Sequence, residues 1–131
     1  MQSKAEKTLF TAAVADGVSD SIHITDCDVV NFTVVGVGGT TTGTIQFLVS
    51  DQDEEPTFGS AASLTNQYTV SSYKDLYTGG AVSGATPASI ATAGVTRYQL
   101  NDAGGHKWAC LKLDWTAGAF SARGSGFATS K

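Results

Sequence analysis

A nucleophilic site needs a serine or cysteine beside a histidine that a third group holds in place. His23 sits in Ser21-Ile22-His23-Ile24-Thr25 and His106 in Gly104-Gly105-His106-Lys107-Trp108, and neither neighbours a nucleophile motif. Both read as surface residues of a strand or turn. The abundant Ser and Thr follow from β propensity and turn chemistry. Asp51, Asp53, Glu54 and Glu55 form the one dense cluster of charge, and oxygen-rich clusters can hold calcium. Their spacing is not that of an EF-hand loop: no glycine stands at the turn position and no second carboxylate follows at the required distance. A solvated acidic loop is the expectation. Asp26 and Asp28, around Cys27, read as a turn before a strand. Gly36-Val37-Gly38-Gly39 has the composition of a phosphate loop, but that chemistry needs the N–H groups of a helix N-terminus, and no helical pattern follows. Cys27 and Cys110 are too few for a disulfide scaffold and lack the paired spacing of a zinc site. Free thiols, buried or half-buried, are expected, with a Cys27–Cys110 bridge as the lesser alternative in a reducing compartment. No catalytic residue, cofactor site or metal site is assigned, and the chain reads as a non-enzyme.

The aromatic residues are better candidates for binding. Tyr68, Tyr73 and Tyr77 are spaced through a Gly/Ala/Ser/Thr-rich stretch, Asp51 to Gly94, that reads as loops around one or two strands. Long loops of this kind carry specificity, and tyrosine gives large amphipathic contact area at small entropic cost. Tyr68, Tyr73, Tyr77 and Trp108 are therefore the expected interface residues. The alternative for the tyrosines is a strand that buries two of them in the core. A carbohydrate-binding face could draw on the same tyrosines with Trp108 and Trp115, although Trp115 continues the apolar Leu111/Leu113 face and is expected in the core.

The elements that must position these residues are strands. Val29 to Val35 alternates so that Val30, Phe32 and Val34 share a face; Thr44 to Ser50 does the same with Ile45, Phe47 and Val49. With Gly36 to Gly43 as a tip, the two are expected to form a hairpin. Lys107 to Trp115 turns Leu111, Leu113 and Trp115 one way and Cys110, Lys112 and Asp114 the other, the second face being wet or shared. Thr116-Ala117-Gly118 then turns the chain into a last strand, Ala119 to Thr129, as a second hairpin. Leu9–Val14, Ser21–Thr25, Gln67–Ser72, Ser89–Thr92 and Thr96–Leu100 are weaker strands; in the last, Tyr98 and Leu100 alternate with Arg97 and Gln99. No stretch holds amphipathic helical spacing beyond two turns. The class is all-β: an antiparallel β-sandwich of seven to nine short strands, with jelly-roll connectivity ahead of an immunoglobulin-like order. The strand order is not readable.

Length allows one domain, residues 8–131, preceded by a flexible arm, residues 1–7, which has alternating charge and no packing residue. Only 15% of residues are charged, against about 25% in ordinary soluble domains, and a lightly charged surface suits contact with other proteins. A net charge of −4 with eight scattered basic residues argues against nucleic acid, which requires clustered Lys and Arg. No run approaches a membrane span, and residues 1–7 lack the apolar stretch of a signal peptide.

The order of features resembles that of small virion proteins of tailed bacteriophages. The likeness lies in an opening strand such as Thr8-Leu9-Phe10-Thr11-Ala12-Ala13-Val14 with a Gly/Ser turn after it. Next comes a strand, Gly/Thr tip and strand unit from Val29 to Asp51. The last third runs from Gly94-Val95-Thr96-Arg97-Tyr98-Gln99-Leu100 through Trp108-Ala109-Cys110-Leu111-Lys112-Leu113 to a Gly-containing strand. It covers most of the chain outside residues 56–93 and carries no site signature. What it implies is a capsid decoration or head accessory subunit, made in the host cytoplasm and residing in the virion. Such a subunit binds the major capsid protein or other virion proteins and copies of itself, with a trimer favoured over a dimer or monomer. The alternative is a carbohydrate-binding or host-adhesion module of a tail or head fibre, with surface glycans as its ligand.

Overall fold

The computed structural model describes residues 2–55, 68–69, 72–84, 86–91, 93–100 and 106–128. Ten strands run through them: β1 (Gln2–Ala13), β2 (Gly17–Val18), β3 (Ile22–His23), β4 (Val29–Ser50), β5 (Tyr68–Thr69), β6 (Ser72–Asp75), β7 (Ala81–Ser83), β8 (Ala88–Ile90), β9 (Gly94–Leu100) and β10 (Trp108–Ala128). Every pairing is antiparallel, and all ten strands belong to one sheet whose main path is β1-β10-β4-β9-β6-β7. The fold is all-β and sandwich-like. Four of the strands, β5 to β8, fall within the loop-rich stretch where one or two were expected.

Two strands are not short. β4 has 22 residues and β10 has 21, and they pair along their whole length, from Ser50 opposite Trp108 to Val29 opposite Phe127. The two expected hairpins are therefore absent: Val29–Val35 and Thr44–Ser50 are successive halves of one strand, as are Trp108–Trp115 and Ala119–Ala128. The glycines bend the strands instead of reversing them. Register slips between Trp115, Ala117 and Ala119, which face Gly43, Thr42 and Val37 in turn, so residues 38–41 bulge. Gly38 and Gly118 take φ of 119° and 81°, a region closed to most L-residues. They meet across the corner, where a Cβ on Gly38 would lie 3.7 Å from the Gly118 Cα. Thr41 is fully buried in the bulge and donates its hydroxyl to the Val37 carbonyl at 3.2 Å.

The corner folds the sheet onto itself. One half holds β1, the end of β10, the start of β4, β9, β6 and β7; the other holds β2, β3, the start of β10, the end of β4, β5 and β8. The bulge switches the buried parity of β4 from Val30, Phe32 and Val34 to Ile45, Phe47 and Val49, so both halves turn apolar side chains into one core. Phe47 crosses that core to stack on Phe32 at 5.5 Å between centroids and to meet Tyr73 at 4.6 Å and Tyr98 at 5.4 Å. Such offset and tilted pairs are the favoured aromatic geometry.

Residues 2–7 are not an arm but the first half of β1. Gln2 pairs with Ala128 and Lys7 with Gly124, and Ala5 packs against the core. One small apolar residue and a backbone ladder to β10 are enough to hold a segment whose Lys4, Glu6 and Lys7 face water. Cys110 is buried, as expected of a free thiol; with Leu48, its cross-strand partner, it lies on the face opposite Leu111 and Phe47.

Candidate interaction face

The half-sheet of β1, β10, β4 and β9 turns its odd-numbered β4 side chains away from the core. Direct cross-strand partners point to the same side, so the register fixes three outward rows: Val95, Val35, Ser121; Arg97, Thr33, Arg123, Thr8; and Gln99, Asn31, Ser125, Glu6. Apolar residues lie toward the corner, where Val95 is 49% and Val37 58% exposed. The middle row alternates guanidinium and hydroxyl groups. The third row is amide and acid, with Gln99 Nε2 donating to Asn31 Oδ1 at 3.0 Å.

Beside Phe10 the face is hollowed into an open groove of about 490 Å³, with Thr8, Thr33, Val35, Ser121 and Arg123 around it. The hollow lies where β1 makes two of its three register slips, between Thr8 and Phe10 and between Phe10 and Ala13. Ala12, at φ 50°, closes the second slip and donates its backbone N–H to Ser121 Oγ at 3.0 Å. Arg123 reaches Glu6 at 3.6 Å, with both side chains about half exposed, a weak surface pair. Among the described residues no carboxylate pairs with Arg97.

The expected interface residues do not form one surface. Tyr73 is 3% exposed, stands against Phe47 and Tyr98, and donates its hydroxyl to the Thr86 carbonyl at 2.9 Å. It is a core residue: β6 pairs Tyr73 with Leu100 of β9, and the parity that buries Leu100 buries Tyr73. Burial raises the phenol of Tyr73, and that of Tyr98, above the usual tyrosine range. Tyr77 is 65% exposed in the turn after β6. Tyr68 is placed by its backbone pairing with Val49 in β5, and its neighbour Val70 lies outside the described residues. Trp108 is half-buried, with His23 stacked on its ring at 4.4 Å and its Nε1 donating to the Gln52 carbonyl at 3.1 Å. The residues of the outward face went unassigned, although the alternation of Arg97 and Gln99 against Tyr98 and Leu100 marks them.

The acidic segment 51–55 is bound to its own fold. Asp51 pairs with His106 at 2.7 Å, Asp53 with Lys107, and Glu55 accepts from the Ser21 hydroxyl. The Lys107 hydrogen bond and then its charge hold the Asp53 carboxyl below the ordinary aspartate value. The carboxylates thus diverge to separate partners, and among the described residues no three His, Cys, Asp or Glu side chains converge on a metal position. Both cysteines are free and buried. Burial raises both thiols, most strongly Cys110; Asp26 and Asp28 add to the effect at Cys27.

No family model matches the chain, and no curated protein matches it. Among solved structures, the crystal structure of SPBc2 prophage-derived protein YomS is similar, with a TM-score of 0.67 at 12% identity over 96% of this chain and 95% of that one. The two share a fold from end to end.

Proposed function

We propose that this chain is a non-enzymatic structural subunit of a bacteriophage particle, a capsid decoration or head accessory protein that binds the capsid and copies of itself. The observation that carries the reading is the end-to-end likeness of its bent-strand fold to a prophage-derived protein. Fold alone does not imply function, and the surface supplies the second support. Among the described residues, several polar side chains are spent on the fold: His106, Lys107, Asp51, Asp53 and Glu55 fasten one loop, while Ser19 Oγ accepts from the Leu111 N–H at 2.9 Å. What is left open is a broad sheet face of valine, threonine and arginine, the composition of a contact surface.

The glycan-binding alternative is less well supported. Sugar stacking needs an open aromatic face; His23 covers one face of Trp108, and Trp115 packs against the core with its Nε1 bonded to the Gly118 carbonyl at 2.7 Å. Mass spectrometry of purified particles from a phage or lysogen encoding the chain tests the proposal. A copy number comparable to that of the major capsid protein is expected. A handful of copies would favour the tail or adhesion reading, and absence from the particle would overturn both.

A further inference from the structure

We propose that the outward face of β1, β10, β4 and β9 binds an extended acidic segment of a partner protein, one in which an apolar side chain stands two residues from a carboxylate. The inference rests on the structural-subunit reading only in taking another protein as the occupant. Charge is the first support. The chain carries a net charge of −4, yet this face is cationic. The register turns Arg97 and Arg123 outward, β6 adds Lys74 beside Gln99, and among the described residues of the three rows Glu6 is the one acid. Asp75, next to Lys74, is spent on its own turn, where its carboxylate accepts the Tyr77 N–H at 2.9 Å. Glu6 does not neutralise the face, because its contact with Arg123 is 3.6 Å long between half-exposed side chains, and such pairs exchange readily. Arg97 is exposed, with no carboxylate partner among the described residues.

The spacing of the rows is the second support. Val95, Val35 and Ser121 form one row, and Arg97, Thr33 and Arg123 form the next, two residues away on every strand. Side chains on one face of an extended chain also recur every two residues, about 7 Å apart. A segment lying along the strands therefore presents an apolar side chain to the first row and a carboxylate to the second. The first row opens into the groove beside Phe10, whose volume of about 490 Å³ accepts a side chain of leucine size. The carboxylate then lies over Thr33, with Arg97 and Arg123 one strand away on either side, about 4.8 Å, where guanidinium groups give strong charge-assisted hydrogen bonds. A nucleic acid fits less well: it needs clustered cations along its backbone, and its phosphates leave the apolar groove unfilled.

The test is a heteronuclear NMR titration of the purified full chain with a capped pentapeptide, threonine–leucine–threonine–glutamate–threonine. Two control peptides replace the leucine by serine or the glutamate by lysine, and a thymidine oligonucleotide serves as the polyanion. The leucine–glutamate peptide is expected to shift the amides of Thr33, Val35, Ser121 and Arg123 and to saturate below about 10 mM. Each control peptide should bind roughly tenfold more weakly or less, having lost the apolar anchor or the charge. Arg97→Glu should reverse the order, so that the lysine peptide binds better than the glutamate peptide. Arg97 is exposed, so thermal unfolding of the variant should match wild type. Absence of saturable shifts at these four amides, control peptides that bind equally well, an order unmoved by Arg97→Glu, or tighter binding of the oligonucleotide at the same amides would each overturn the proposal. No particle enters the titration, so its outcome and the copy number measured on particles fail separately.

Discussion

Gly126 and Cys27 compete for one space. A Cβ on Gly126 would stand 2.5 Å from the Cys27 Sγ and 3.3 Å from its Cβ, and Cys27 is buried, so its sulfur cannot swing aside into water. Gly126→Ala is expected to cost about 1–3 kcal/mol through overpacking, and Cys27→Ala roughly 1 kcal/mol through the small cavity it leaves. In the double variant the new methyl fills the place of the lost sulfur. Urea unfolding should then show the pair to be more stable than the sum of the singles by at least about 1 kcal/mol; simple additivity would show that the sulfur is not what excludes the methyl. The two acids around Cys27 suggested a turn, and the Cys27 N–H does donate to the Ile24 carbonyl at 2.9 Å. The close approach of Gly126 was illegible, because nothing in a single sequence shows which distant backbone a small residue must admit.

The corner of β4 and β10 sets the shape of the molecule, and its two glycines are the residues most exposed to test. Gly118→Ala and Gly38→Ala place a Cβ where φ is positive, at a strain of about 1–2 kcal/mol each. The change should appear as a lower urea midpoint with an unaltered slope, the fold being kept. An unchanged midpoint would mean that the strands bend without needing that conformation. The strand halves were legible: alternation found the buried faces of Val29–Val35, Thr44–Ser50 and Leu111–Trp115. Their connection was not, because glycine permits the positive φ of a tip and of a bulge alike. The discriminating signal is that each of two long apolar stretches carries its glycine break near its middle, which fits two strands bending together. Strands of two to four residues, such as β2, β6 and β7, owe their existence to the ladder beside them and leave no pattern of their own.

For the whole molecule the core is aromatic and partly titratable, which makes stability depend on alkaline pH. Tyr73 and Tyr98 ionise above their ordinary 10.0 in the folded chain, chiefly because of burial, and Cys110 above its ordinary 9.0 for the same reason. A raised folded value contributes stability that is complete below the unfolded value and is lost as pH rises through the folded one. Unfolding free energy should therefore be flat near neutrality and fall from about pH 9 upward, first through the thiol and then through the phenols. Tyr73→Phe with Tyr98→Phe should lower stability at neutral pH, by roughly 1 kcal/mol for the lost bond to Thr86, yet flatten the decline above about pH 10. An alkaline limb identical in wild type and the double variant would show that the native phenols ionise freely.

β10 lies between β1 and β4 in the sheet, yet it follows every other described strand in the chain. Of the described strands, synthesis therefore delivers this interior one last. Until Trp108–Ala128 emerges, β1 has no ladder, β4 lacks the partner it follows through the corner, and Leu9, Phe32 and Ile45 have no Leu111, Leu113 or Phe120 to cover them. The nascent chain must wait with its apolar faces open, because sheets built on such distant pairs close late and slowly. The half of the sheet built on β4, β9, β6 and β7 can pair before β10 is made, whereas β1, first in the chain, finds its partner only in the last described strand.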